Sequence, residues 1–213
     1  MTLAPPEATL AITPTCPHCP TMMEILGELV KQGETGSLHI VNIVQHSDFA
    51  RDHHIRSVPW LKIGPFVLQG LHSKQEIQTW IARSQSEAGI MAYFSELLST
   101  GELNSVSHSL ALSPDLIRLF IPLLSSEETN INVRLGMAAI LEDLAGQAIL
   151  DNLLEGLLTL LKHENARVRG DAAHFLSFLK STNAVTALQE CLNDPNSEVR
   201  EIAQESLEAI SAN

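Results

Sequence analysis

Thr13-Pro14-Thr15-Cys16-Pro17-His18-Cys19-Pro20 is the stretch on which the fold turns, because the hydrophobic period changes across it. Upstream, residues 8–15 alternate weakly and are rich in Thr and Ile, which reads as a buried strand running into the cysteines. Downstream, Met22, Leu26, Leu29 and Val30 recur at helical spacing until Gly33 and Gly36 close the segment, so the pattern predicts a helix over residues 17–32. A Cys-x-x-Cys pair at such a junction puts its first sulfur where free backbone N–H groups and the positive end of the helix dipole converge, which favours the thiolate. The second cysteine lies one turn on, within reach of a mixed disulfide formed on the first. Cys16 is therefore read as the attacking thiol and Cys19 as the resolving one. Pro17 suits the first helical position, where its missing N–H is not needed. His18, when protonated, adds a cation beside the thiolate.

The rest of the first 86 residues supplies a small α/β unit. Leu38 to Val44 is a second apolar strand, Ser47-Asp48 caps a short helix through about His54, and Trp60–Ile63 and Phe66–Leu68 are strands joined tightly by Gly64-Pro65. Ser73 to about Ser84 is an amphipathic helix with Ile77, Trp80 and Ile81 on one face. The expected order is β-α-β-α-β-β-α. Past the polar junction Ser84-Gln85-Ser86-Glu87 no strand is legible; what appears is repetition. Val133-Arg134, Val168-Arg169 and Val199-Arg200 each open a helix with small residues and leucines behind it, at steps of 35 and 31 residues. Leu-rich helices precede them at Asp115–Leu124, Leu150–Leu161 and Val185–Leu192, with short polar turns such as Asn193-Asp194-Pro195-Asn196 between. Two-helix units of this kind cannot bury their faces alone and must stack.

Two resemblances follow. The second half looks like HEAT repeats, carried by Val133, Arg134, Val168, Arg169, Ala172, Ala173, Asp194, Pro195, Val199 and Arg200. It covers residues 114–211 as about three repeats, with residues 87–112 as a degenerate capping helix pair. In that family such arginines pair with acids of neighbouring units. Residues 8–84 resemble a thioredoxin/glutaredoxin-like domain, through the cysteine stretch and through Ile55-Arg56-Ser57-Val58-Pro59. The resemblance implies that Pro59 is cis and faces the cysteines, and that the backbone of Val58 pairs with substrate. Trp60, beside it, lines the groove or packs in the core. Thr15 stands where thioredoxins carry Trp, Leu10 where they carry a buried acid, and the glutathione-holding turn of glutaredoxins is absent after Gly70. A Pro-His pair between the cysteines is similar to that of disulfide oxidases, so the potential is expected above the ~−270 mV of thioredoxin.

The expected architecture is a compact thioredoxin-like fold with a mixed four-stranded sheet at 1–86, followed by a short HEAT α-solenoid at 87–213. The net charge of −12 divides as −1 over residues 1–86 (six Lys/Arg, seven Asp/Glu) and −11 over residues 87–213 (seven and eighteen). Such a second half disfavours nucleic acid and anionic lipid and favours a neutral or basic protein partner. With no long apolar stretch and no signal-like N-terminus, a cytoplasmic location without membrane association is expected. The functional expectation is a cofactor-independent thiol–disulfide oxidoreductase acting through Cys16, Cys19, His18 and Pro59. Pro17, Val58 and Trp60 contact substrate, and the HEAT surface docks a protein client carrying a disulfide or dithiol. The alternative is a redox-sensing adaptor in which the Cys pair only switches partner binding. A metal clip using Cys16, Cys19 and His53-His54 is a further alternative, although no second Cys pair exists. Cys191, on an apolar stripe, reads as core.

Overall fold

The computed structural model of the chain describes residues 4–179 and 181–212. The chain divides into two compact units, Met1–Ala92 and Tyr93–Asn213. In the first, β1 (Glu7–Ile12), α1 (Cys19–Lys31), β2 (Ser37–Asn42), α2 (Ser47–Asp52), β3 (Trp60–Ile63), β4 (Phe66–Gln69) and α3 (Lys74–Ser84) follow in the expected order. The sheet runs β2-β1-β3-β4. β1 lies parallel to β2, with Leu10 opposite Ile40, and antiparallel to β3, with Leu10 opposite Leu61. Ala8, Leu10, Leu61, Ile63 and Leu68 alternate onto one sheet face, where Met22, Leu26 and Leu29 of α1 and Ile77 and Ile81 of α3 close over them. The β3–β4 hairpin turns on Gly64, whose φ of +53° is one that residues with a Cβ rarely adopt.

Two local boundaries differ from the sequence expectation. α1 begins at Cys19, and Pro20 rather than Pro17 takes the place in the first turn where no N–H is needed. The reason is a turn ahead of it: the Cys16 N–H donates to Thr13 O at 3.3 Å, and the first helical bond runs from Met22 N–H to His18 O at 3.3 Å. α2 is preceded by His46, not capped by Ser47, and that cap makes no side-chain bond. Instead the Asn42 carbonyl accepts from Gln45 and His46, and its side chain accepts from Val44. α3 does start as a capping box: Ser73 Oγ accepts from Glu76 N–H, and Glu76 Oε2 accepts from Ser73 N–H at 2.8 Å.

Among the described residues of the second unit there are helices and turns and no strand. The helices, including one that opens ahead of the unit's first residue, are α4 (Glu87–Thr100), α5 (Leu103–Leu112), α6 (Phe120–Ser125), α7 (Ile131–Asp143), α8 (Leu154–Leu160), α9 (Ala166–Leu176), α10 (Thr182–Cys191) and α11 (Ser197–Ala212). α6 and α8 are each entered through a 3-10 segment, Pro114–Leu119 and Ala148–Leu153, where single helices were expected. Pro122 has no N–H to donate, and the restart at Phe120 puts it in a first turn, where none is required.

The repeat signature does structural work at each step. Val133, Val168 and Val199 are buried to 1%, 0% and 1% exposure. Asn130, Asn165 and Asn196 cap the helices that carry them, accepting from Asn132, Arg167 and Glu198 N–H at 2.8, 2.9 and 2.8 Å. Each arginine folds back onto the carbonyls of its own turn: Arg134 onto Ser126 and Thr129, Arg169 onto His163 and Glu164, Arg200 onto Asp194 and Pro195. Arg134 then donates to Asp171 of the next repeat, and Arg169 grips Asp194 of the next with both oxygens, at 2.7 and 2.9 Å. These pairs tie successive repeats together through charge-assisted bonds that hydrophobic stacking alone would leave unregistered.

Candidate active site

β1 and β4 end, and β3 begins, at one edge of the sheet, so four loops meet there: residues 13–18, 43–46, 53–59 and 70–73. The first carries the cysteines. Cys16 and Cys19 form a disulfide with S–S 2.10 Å and Cα–Cα 5.5 Å. Cys16 is half-buried, whereas Cys19 is 2% exposed under the start of α1. The Cys19 N–H points at Cys16 Sγ at 3.1 Å, which is the backbone donor that supports a thiolate on Cys16 once the bond is reduced. Pro17 and His18 are exposed between them.

The second loop of interest is His54–Pro59. The Val58-Pro59 peptide is cis, and Pro59 is buried. Its carbonyl accepts from Gly70 N–H at 2.8 Å, and Ser57 Oγ donates to Gln69 Oε1 at 3.0 Å, so the end of β4 holds this loop in place. Val58 is half-buried and, among the described residues, makes no backbone hydrogen bond. Trp60 sits elsewhere than a groove: it is 1% exposed on the other sheet face, edge-on to Phe49 at 6.1 Å and to His53 at 5.6 Å. No face of its ring is offered to a bound chain, and its role is packing.

A residue that the sequence reading missed is His72. Its N–H donates to Met22 Sδ at 3.5 Å, its Nε2 lies 3.1 Å from Gln69 O, and its Nδ1 lies 3.8 Å from Glu76. It thus links α1, one turn past Cys19, to the strand end that holds the Pro59 loop. A separation of 50 positions from Met22 leaves no local signal for it. The Glu76 carboxyl is held below the usual carboxylate range, first by its bonds from Ser73 and then by the His72 charge. Leu71, 50% exposed, adds apolar surface beside these groups.

Among the described residues no group of three or more His, Cys, Asp and Glu side chains is placed to hold a metal ion. His53 stacks on Phe49 at 4.1 Å, and His54 has a φ of +50°. Leu10, where a buried acid would sit in a thioredoxin, is 0% exposed and belongs to the core. Cys191 is 8% exposed, and burial, followed by Asp194 and Glu190, pushes its thiol up. No helix among the described residues is long and apolar enough to cross a membrane.

Residues 8–82 match the thioredoxin domain family and residues 117–208 match the HEAT repeat family. No curated protein matches the chain.

Proposed function

Starting from a chain that carries a thioredoxin-like domain followed by HEAT repeats, we propose that it is a dithiol protein disulfide oxidoreductase whose HEAT repeats dock the protein client. A redox role follows in general terms from the closed cysteine pair in that domain, and a protein-interaction role from the repeats. The finer reading rests on one observation: an accessible Cys16 and a buried Cys19 share a sheet edge with the unbonded backbone of Val58.

In the reducing direction the Cys16 thiolate attacks one sulfur of a client disulfide. A Cys16–client bond forms, the client bond breaks, and the second client sulfur leaves as a thiolate that takes a proton. Cys19 loses its proton, attacks Cys16 Sγ and releases the first client sulfur. Two electrons have passed from the enzyme dithiol to the client, and a dithiol reductant restores the pair. Run backwards, the same steps oxidise a client dithiol. Val58 offers N–H and C=O to an extended client backbone, while Pro17 and Pro59 shape the floor. His18, exposed beside Cys16, favours the thiolate when protonated, so the disulfide is a stronger oxidant than thioredoxin at ~−270 mV; equilibration against a thiol buffer of known potential measures it.

The decisive experiment is trapping with Cys19→Ser. Mixed disulfides should accumulate on Cys16 with a restricted set of proteins, and Cys16→Ser should abolish turnover of a model disulfide. Turnover persisting in Cys16→Ser removes the nucleophile assignment. If both variants merely alter partner affinity, and the wild type turns nothing over, the chain is a redox-sensing adaptor.

A further inference from the structure

Of the Arg and Lys side chains at this end of the sheet, Arg51 and Lys74 are paired among the described residues and one is not. Arg51 pairs with Asp48 at 2.8 Å and Asp52 at 3.5 Å. Lys74 pairs with Glu28 at 2.9 Å. Glu76 accepts from both the N–H and the Oγ of Ser73 and faces His72. Glu24 lies in the second turn of α1, five positions beyond Cys19, which is ~7.5 Å along the axis. The remaining groups there are the imidazoles of His18, His46, His53, His54 and His72. Arg56 is the exception: it is exposed and, among the described residues, has no ion pair and no side-chain hydrogen bond.

Its position gives that unmatched cation a use. Arg56 is two residues before Val58, in the loop that Ser57–Gln69 and Pro59–Gly70 bonds pin to the end of β4, at the same end of the sheet as the disulfide loop. A client segment lying along Val58 would come within reach of a side chain as long as that of Arg56, two positions earlier in the same loop. Arginine holds a carboxylate through two parallel N–H donors, a geometry that a neutral side chain cannot match. We infer that Arg56 is a specificity-determining residue that selects clients carrying an Asp or Glu close to the exchanging cysteine. The inference rests on the proposed redox function and names the substrate class of the same site.

The test uses the full chain and three synthetic peptides. Each holds one internal disulfide, and they are identical except for Asp, Asn or Lys flanking it. Dithiothreitol supplies the two electrons per turnover, and kcat/KM for each peptide is read by chromatography above the uncatalysed rate. The expected order is Asp above Asn above Lys, with Asp over Lys by roughly five- to tenfold at low salt and less in 0.5 M salt, in line with two exposed charge contacts of the usual strength. Arg56→Glu should invert the order to favour Lys, a gain that a misfolded variant cannot show. Equal kcat/KM for the three peptides, or an Asp preference that survives in Arg56→Glu, overturns the inference while leaving the redox reading intact. No turnover of any peptide removes the redox reading, and the inference with it.

Discussion

At the scale of single residues, the chain contrasts two kinds of cysteine. Cys16 and Cys19 are joined in a disulfide, the pair to which exchange is assigned in the proposal, whereas Cys191 is a core residue whose thiol is raised by burial and by the neighbouring carboxylates of Asp194 and Glu190. A raised thiol pKa leaves less thiolate at neutral pH, and the thiolate is the reacting species. In the reduced protein at pH 7.5, a small alkylating reagent should therefore modify Cys16 before Cys191, which reacts at least tenfold more slowly, with mass spectrometry reading each site. Equal rates at Cys16 and Cys191 would contradict that placement. Tyr93 gives a cleaner optical handle, because it is the only tyrosine in the chain. Burial, then Glu102 and Glu96, push its phenol up to about 12. A folded-state pKa above the unfolded ~10 means that the native state holds a proton the unfolded state gives up. The associated stability is present below pH 10 and is lost as pH rises towards 12. Absorbance at 295 nm should stay flat through pH 10 and rise only near 12 or with unfolding; a midpoint near 10 in the folded protein would show an accessible phenol.

At the scale of elements, the repeats are registered by short polar devices rather than by leucines alone. Removing the Asn165 cap with Asn165→Ala leaves the first N–H groups of α9 without that acceptor and should lower stability by about 1 kcal/mol, seen as a reduced midpoint in urea. The Arg169–Asp194 bridge is larger, since the two side chains are only 12% and 8% exposed. Its carboxyl is held below its ordinary range, first by the Arg169 hydrogen bond. A depressed carboxylate contributes stability that is complete above pH ~4 and lost as pH falls through the lower folded value. Asp194→Asn should cost about 3 kcal/mol at pH 7 and flatten the acid limb of the stability profile below pH 4, both read by urea titration across pH. The Val-Arg spacing made this array legible, as the change of period across Cys16 made the strand–helix junction legible. The Asn caps, three residues before each Val, are a local signal of the same repeat. What no local pattern carries is the outcome of tertiary closure. The turn from Thr13 to Cys16 shifts the start of α1 from Pro17 to Cys19. α2 draws Trp60 into the core, and the β4–α3 loop brings His72 against Met22.

At the scale of the whole molecule, the division of labour is between two cores with different jobs. The first unit has its own core under α1 and α3. The second has another, which includes Leu157, Ala172, Ala173 and Leu188, all at 0% exposure. The acidity lies mostly with the second, −10 against −2, so a client docked there, as proposed, would be drawn by a field to which the first unit contributes little. In the proposed function, docking of this kind would raise the effective concentration of the client at Cys16 without altering the exchange chemistry. The two contributions therefore separate under a core substitution far along the chain from the cysteines. Leu157→Ala removes buried methyl groups from the repeats and should cost about 2–5 kcal/mol there. At 25 °C its kcat/KM for a small peptide disulfide should stay within about twofold of wild type, because a peptide needs only the Cys16 edge. Its rate with a trapped protein client should fall by at least tenfold, as expected when effective concentration is lost. A parallel fall with both substrates would mean that the repeats support the redox site itself. An unchanged client rate would mean that substrate choice lies wholly within the first unit, with Arg56 and Val58 as its principal determinants.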